Sequence, residues 1–174
     1  DLTGARLEEA TIDGALLEKS VLTGVSLRKA SLIGAQMRLS RILDADLREV
    51  DCTGTALPFA DLSGCDATLA IFSGADLNSA LFTGAKLQGA SFRGATLQGA
   101  SFHQALLKDV DLRGANVEGA DFSGSYGLSK TQLESLIHRG ARIDDASSMQ
   151  SPLGLSQLRA AVFLFALSVG TYLF

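Results

Sequence analysis

The chain has 174 residues and a mass of 18.2 kDa, enough for one domain with a core of its own. A formal charge of -4 argues against a nucleic-acid-binding face, and two cysteines are too few for a disulfide framework. Gly is frequent at 18 residues, Pro is scarce at 2 and Trp is absent, so the arrangement of apolar residues is more unusual than their amount.

The first residue is Asp1 rather than Met, so the chain reads as processed, truncated or cut from a longer protein, with any leader lost. A strict beat of five then runs to residue 125. Positions 2, 7, 12 and onward to 122 hold 14 Leu, 5 Phe, 2 Ile, and Met37, Cys52, Ala67 and Val117. Of the 25 residues at 5, 10, 15 and onward to 125, 17 are Ala and the rest are Ser, Val, Thr or Cys. All 27 charged residues of the stretch lie in the other three columns. All 14 of its glycines fall two places after the large apolar residue, most of them every ten residues. That spacing predicts alternate pentads that differ at this corner.

A period of five fits neither a helix face at about 3.6 residues nor a strand at about 2. Within one pentad, however, the small and large residues are two apart, which places both on one side of extended backbone. A short wall and a sharp corner, repeated, wind the chain around a square. The large residue points in, the small one sits where walls crowd, and Gly or a polar residue takes the corner. Coils then stack roughly 4.8 Å apart through backbone hydrogen bonds. An amphipathic helix fails, because a five-residue period spirals the apolar residues right round it.

The segments ADLSG (60–64), ADLNS (75–79) and ADFSG (120–124) carry the pattern Ala-(Asp/Asn)-Leu-x-x, which resembles the pentapeptide-repeat family. The resemblance covers residues 1–125. It implies an all-β solenoid, a right-handed quadrilateral parallel β-helix with four pentads per coil and about six coils. Residues 20 apart then stack, with Phe82, Phe102 and Phe122 on one wall and Phe72 and Phe92 opposite. Met37, Cys52 and Ala67 interrupt their columns, so looser packing is expected there. Cys52 and Cys65 lie on different walls and are expected as free core thiols.

The period changes after residue 125. Ser129 and Gln132 have the spacing of a capping box, Leu128 and Leu133 that of a hydrophobic staple, and Gly140 fits a helix stop. Leu133, Leu136 and Ile137 are expected to share an apolar face. Residues 126–143 are thus expected to form a capping helix over the open end, with Ala141 and Ile143 adding a final rung. Residues 144–152 read as a polar linker. Residues 153–174 are the most apolar segment, expected as a further C-terminal helix whose contacts are Leu158, Val162, Phe163, Phe165 and Leu167. Its uncharged part, Ala160–Phe174, is shorter than the roughly 20 residues needed to span a bilayer. Three readings stay open: a membrane helix, a dimerisation helix, or packing back on the domain. Membrane association is the one preferred, with a soluble cytoplasmic protein as the alternative.

Signals for catalysis are nearly absent. His103 is on an outward repeat position, and His138 near the helix end suits a C-terminal contact better than a metal. No Cys/His spacing suggests a metal, no Gly-Lys-Ser/Thr step suggests a phosphate loop, and a filled interior leaves no ligand pocket. Neither enzyme activity nor a cofactor is expected. Asp46, Asp51, Asp61, Asp66, Asp76, Asp111, Asp121 and Asn116 share one column and are read as solvated residues able to bond nearby backbone. Function should then lie in the surface. Leu39 and Phe59 share a corner column beside Leu16, Val21 and Ala56, forming a candidate protein contact, against the alternative of scattered exposed apolar residues. The first coil, with nothing before Asp1, is the second candidate.

The leading expectation is a non-enzymatic structural or interaction module, a rigid scaffold or assembly factor at a membrane, with unidentified protein partners. The family's abundance in cyanobacteria and chloroplasts implies a photosynthetic, thylakoid-type membrane. The alternative, also implied by the family, is a dimeric DNA mimic acting on gyrase. Against it, the repeat zone mixes 16 acidic with 11 basic residues, lacks a projecting loop, and is followed by an unusually apolar segment.

Overall fold

The computed structural model describes residues 1–143. Within them the chain winds as a coil of four walls, and parallel bridges join each wall to the one twenty residues on. One column runs unbroken through Arg6, Ser26, Asp46, Asp66, Lys86, Leu106 and Tyr126. We number the walls from those beginning at residues 1, 6, 11 and 16.

Residues 61–65 show how one pentad satisfies its backbone. Asp61 N–H donates to Ser40 in the coil below (2.9 Å), while Leu62 and Gly64 donate to Leu81 and Thr83 above (2.7 and 2.9 Å). Cys65 N–H closes a turn onto the Leu62 carbonyl at 3.3 Å, and Ser63 N–H donates to the Asp61 carboxylate at 3.1 Å. All five donors are paired, as buried or half-buried backbone requires. The turn absorbs so much of each wall that a single bridging residue remains. The walls are therefore bridged rungs and not the extended strands that a β-helix suggests.

The third residue of that turn has positive φ while the second does not, the pattern of a type II turn. This holds at the corner of every one of the 25 pentads, 14 times with Gly and 11 times without it. The expected alternation of corners is thus absent from the backbone. Only the side chain alternates, because the turn needs the same left-handed residue at each corner.

The large and small columns fill the interior, with every large residue from Leu22 to Phe122 buried. Five phenylalanines form two facing stacks. Phe82 lies on Phe102 at 5.1 Å, Phe102 on Phe122 at 4.7 Å, and Phe72 on Phe92 at 5.1 Å. The stacks meet edge to face at 5.6–5.8 Å. Such pairs contribute about 0.5–1.5 kcal/mol each beyond area burial. Met37, Cys52 and Ala67 are 1%, 3% and 0% exposed, so the looser packing expected around them does not show in their burial. Both cysteines are free. Leu2, Leu7, Ile12 and Leu17 of the first coil are only half-buried, and the N–H groups of Arg6, Thr11 and Leu16 make no hydrogen bond among the described residues.

Helix α1, Lys130–His138, follows the repeats. Ser129 caps it, its hydroxyl accepting from Gln132 N–H at 3.3 Å while the Gln132 side chain accepts from Ser129 N–H at 3.0 Å. At the other end Gly140 has φ +82°, with Gly140 N–H bonded to the Ile137 carbonyl and Ala141 N–H to that of Leu136. These two bonds form a Schellman motif, which turns the chain back toward the coil. Arg142 then bridges to Asp121 on the first wall, with Ala141 and Ile143 half-buried on either side.

Candidate functional site: an apolar edge and a capped end

The third N–H of a pentad has no backbone partner in the neighbouring coil, and where the pentad opens on Asp or Asn that side chain takes it. Asp46, Asp51, Asp61, Asp66, Asp76, Asp111, Asp121 and Asn116 all accept from the N–H two residues on, at 2.9–3.3 Å. The acidic column is thus an Asx-turn ladder. Two of its members also hold guanidinium groups: Arg48 on Asp46 and Arg113 on Asp111. The Arg113 hydrogen bond holds the Asp111 carboxyl down at about 2, and Arg48 likewise lowers Asp46. Among the described residues no group of His, Cys, Asp or Glu is placed to hold a metal. The two thiols are sealed, and burial pushes Cys52 up to about 12 and Cys65 up as well.

Leu39 and Phe59 stand one above the other where the fourth wall meets the first, 42% and 49% exposed, with the Arg38 guanidinium 5.3 Å from the Phe59 ring centre. Both have left-handed backbone, at φ 58° and 60°. Leu16 is 83% exposed but lies at the far end of its wall, and Gln36 separates it from Ala56 in the bridged column. Val21 is likewise parted from the edge by Arg41 above it. Leu39 and Phe59 are therefore the centre of this edge, and Leu16, Val21 and Ala56 are outliers.

Ile33, Leu69, Ile71 and Leu81 are further exposed apolar residues that the sequence reading passed over. Leu69 shared the signal that singled out Leu39 and Phe59, a bulky residue in the glycine column, and it too has φ 60°. Its side chain lies over Gly89, where an added Cβ would come within 2.7 Å of the Leu69 tip.

At the capped end, polar residues of α1 replace backbone. In each lower coil the small residue's carbonyl accepts from the wall above, as Ala95 does from Asn116 at 2.9 Å. Above Val110 and Ala115 that wall is missing. The Gln132 side-chain amide donates to Val110 O at 3.0 Å, and Arg139 donates to Ala115 O at 2.8 Å and Leu112 O at 3.2 Å. Gln132, Leu136 and Arg139 share a sector of about 60° at roughly 100° per residue. Leu136 plugs the core at 1% exposure. That sector turns Ile137 out to 58% exposure, so the apolar face expected to include it is narrower. Leu128 and Leu133 are half-buried. His138 Nδ1 lies 2.8 Å from the Glu134 carbonyl. Arg139, the anchor of this end, was not among the expected capping residues.

No described helix is long and apolar enough to cross a membrane. Leu158, Val162, Phe163, Phe165 and Leu167, with the linker before them, lie outside the described residues.

A profile of pentapeptide repeats matches eight copies over residues 1–39, 45–84 and 85–124. Proteins of this kind fold as right-handed β-helices. Among solved structures, a pentapeptide repeat protein (Rfr23) from the cyanobacterium Cyanothece 51142 is 24% identical, with TM-score 0.50 over 63% of this chain and 85% of that one. A trypsin-treated form of QnrB1, a plasmid-mediated fluoroquinolone resistance protein, is 18% identical, with TM-score 0.55 over 79% of this chain and 88% of that one. At these identities the likeness is one of fold. No curated protein matches at a significant level.

Proposed function

The chain belongs to the pentapeptide repeat family, and from that premise we propose that it is a non-enzymatic interaction module whose contact centres on Leu39 and Phe59. One observation carries the reading. A bulky residue in left-handed backbone costs about 1–2 kcal/mol, and an apolar side chain left half in water forgoes about 1 kcal/mol of burial. Fourteen other corners use Gly. Leu39 and Phe59 combine both costs on adjacent coils of one edge, which supports a role outside the fold's own stability. The rod supplies a rigid backing at this edge, since the pentads holding Leu39 and Phe59 are bonded to the coils above and below and closed by turns at Ser40 and Ala60.

The setting we propose is an assembly at a membrane, on the strength of the uncharged run Ala160–Phe174. Three measurements test these statements. A photo-reactive residue at position 59 in the native host should cross-link one discrete partner that the same residue at Glu49 does not. Leu39→Glu combined with Phe59→Glu should abolish that partner's co-purification, and binding that survives the double change removes the site. Release of all the protein by a carbonate wash of native membranes removes the membrane setting. A DNA-like rod directed at gyrase is disfavoured by the ion pairs Arg48–Asp46, Lys86–Asp66 and Arg113–Asp111, which break up the acidic surface. Strong inhibition in a supercoiling assay would reverse that preference.

A further inference from the structure

A groove of about 570 Å³ lies between α1 and the last coil, bordered by Asp109, Leu112, Arg113, Gln132, Ser135 and Arg139. Its floor has a definite hydrogen-bonding register. On the third wall one coil below, Phe92 N–H donates to Asp111 O at 2.8 Å and Gly94 N–H to Arg113 O at 3.1 Å. Two carbonyls, two residues apart, thus flank one inward apolar side chain. The next rung of that wall falls on residues 131–135, which are held in α1. Leu112 N–H and Gly114 N–H consequently make no hydrogen bond among the described residues. Gln132 and Arg139 satisfy the carbonyls of this edge but leave its donors open. Val110, Leu112 and Ala115, at 4%, 6% and 6% exposure, are also the least sealed of the buried apolar residues.

An edge of open donors is a template for another strand. We propose that this groove accepts an extended peptide of a partner protein, which adds a parallel rung to the third wall. The peptide supplies two carbonyls to Leu112 N–H and Gly114 N–H, with a small or medium apolar side chain between them directed at Leu112. Asp109 and Asp111 on the border are matched by Arg113 and Arg139, so the lining carries no net charge and the fitting peptide is neutral. The volume suits such a segment, since ligand pockets span roughly 300–1,000 Å³. This site is separate from the Leu39–Phe59 edge and does not depend on it.

The test is amide NMR on the full chain with an acetylated, amidated peptide of the sequence SLIGA, which is residues 31–35 of the same wall. The expected result is a shift of the Leu112 and Gly114 amide signals and at least about tenfold slower exchange there at saturation, since each factor of ten is one step of about 1.4 kcal/mol. Ser135→Trp, and independently Thr131→Trp, should fill the groove and abolish the effect, while Leu39→Glu with Phe59→Glu leaves it intact. Three results overturn the proposal. They are no shift at millimolar peptide, shifts confined to Arg6, Thr11 and Leu16 at the other end, or free-chain protection of Leu112 and Gly114 equal to that of Phe92 and Gly94.

Discussion

Replacing Phe59 by alanine and, separately, by glycine isolates the strain of the corner from the contacts of the ring. Both variants lose the same half-exposed side chain and its stacking on Arg38. They differ in the backbone alone. At φ 60° alanine keeps the left-handed cost of about 1–2 kcal/mol and glycine does not. Glycine gives back about 0.5–1 kcal/mol through the greater freedom of its unfolded chain. The glycine variant should therefore be the more stable by about 0.5–1 kcal/mol, the reverse of the usual order in regular structure. For a chain of this size that is about 1–4 °C in melting temperature. Thermal melts followed by circular dichroism measure it, with Ala100→Gly as the control in which glycine should be worse. An alanine variant that melts at or above the glycine one refutes the argument, and with it the cost that supports the Leu39–Phe59 site.

Arg139→Ala should cost about 1–3 kcal/mol in urea unfolding, because it strips the side-chain donor from the carbonyls of Leu112 and Ala115 in a nearly buried position. A loss within about 0.5 kcal/mol, typical of ordinary surface changes, would show that water replaces it. Cys52 and Cys65 should resist a thiol reagent at mildly alkaline pH until the chain is unfolded, since burial raises both thiols. Prompt reaction of either in the native protein contradicts the sealed core. The Asp111–Arg113 pair has a definite pH window. A depressed carboxyl contributes stability that is present above its ordinary value of 3.8 and is lost as pH falls toward about 2. Arg113→Gln should move the Asp111 titration seen by carbon-13 NMR back toward 3.8, and an unmoved titration assigns the shift to something else.

The inward columns were legible in the sequence because each has one physical demand, burial, that a few residue types meet. The Phe stacks followed from the twenty-residue coil alone. The Asp column was legible as backbone-bonding, but which N–H it serves was not, since that rests on the third N–H having no partner in a neighbouring coil. Glycines every ten residues suggested two kinds of corner, whereas Glu9, Lys19 and Leu69 adopt the same left-handed turn as Gly4. Spacing records which residue tolerates a conformation most easily and not which conformation is present. Arg139 was illegible for a different reason. Its role depends on the carbonyl of Ala115, which loses its partner only once α1 displaces a wall. Ile137 misled because helical spacing cannot tell that Gln132 and Arg139 also turn inward.

The bridges between residues twenty apart carry a consequence for how such a chain can change length. Gain or loss of one pentad keeps every Leu and Ala in its interior column, so the fold survives. It also turns everything beyond that point by a quarter of a revolution. Gain or loss of four pentads restores the original facing. A change of five residues between Leu39 and Phe59 would leave the core whole yet swing the ring onto a neighbouring edge and part the pair. The rod thus works as an indexing device, in which length is free in steps of five but aim is preserved only in steps of twenty.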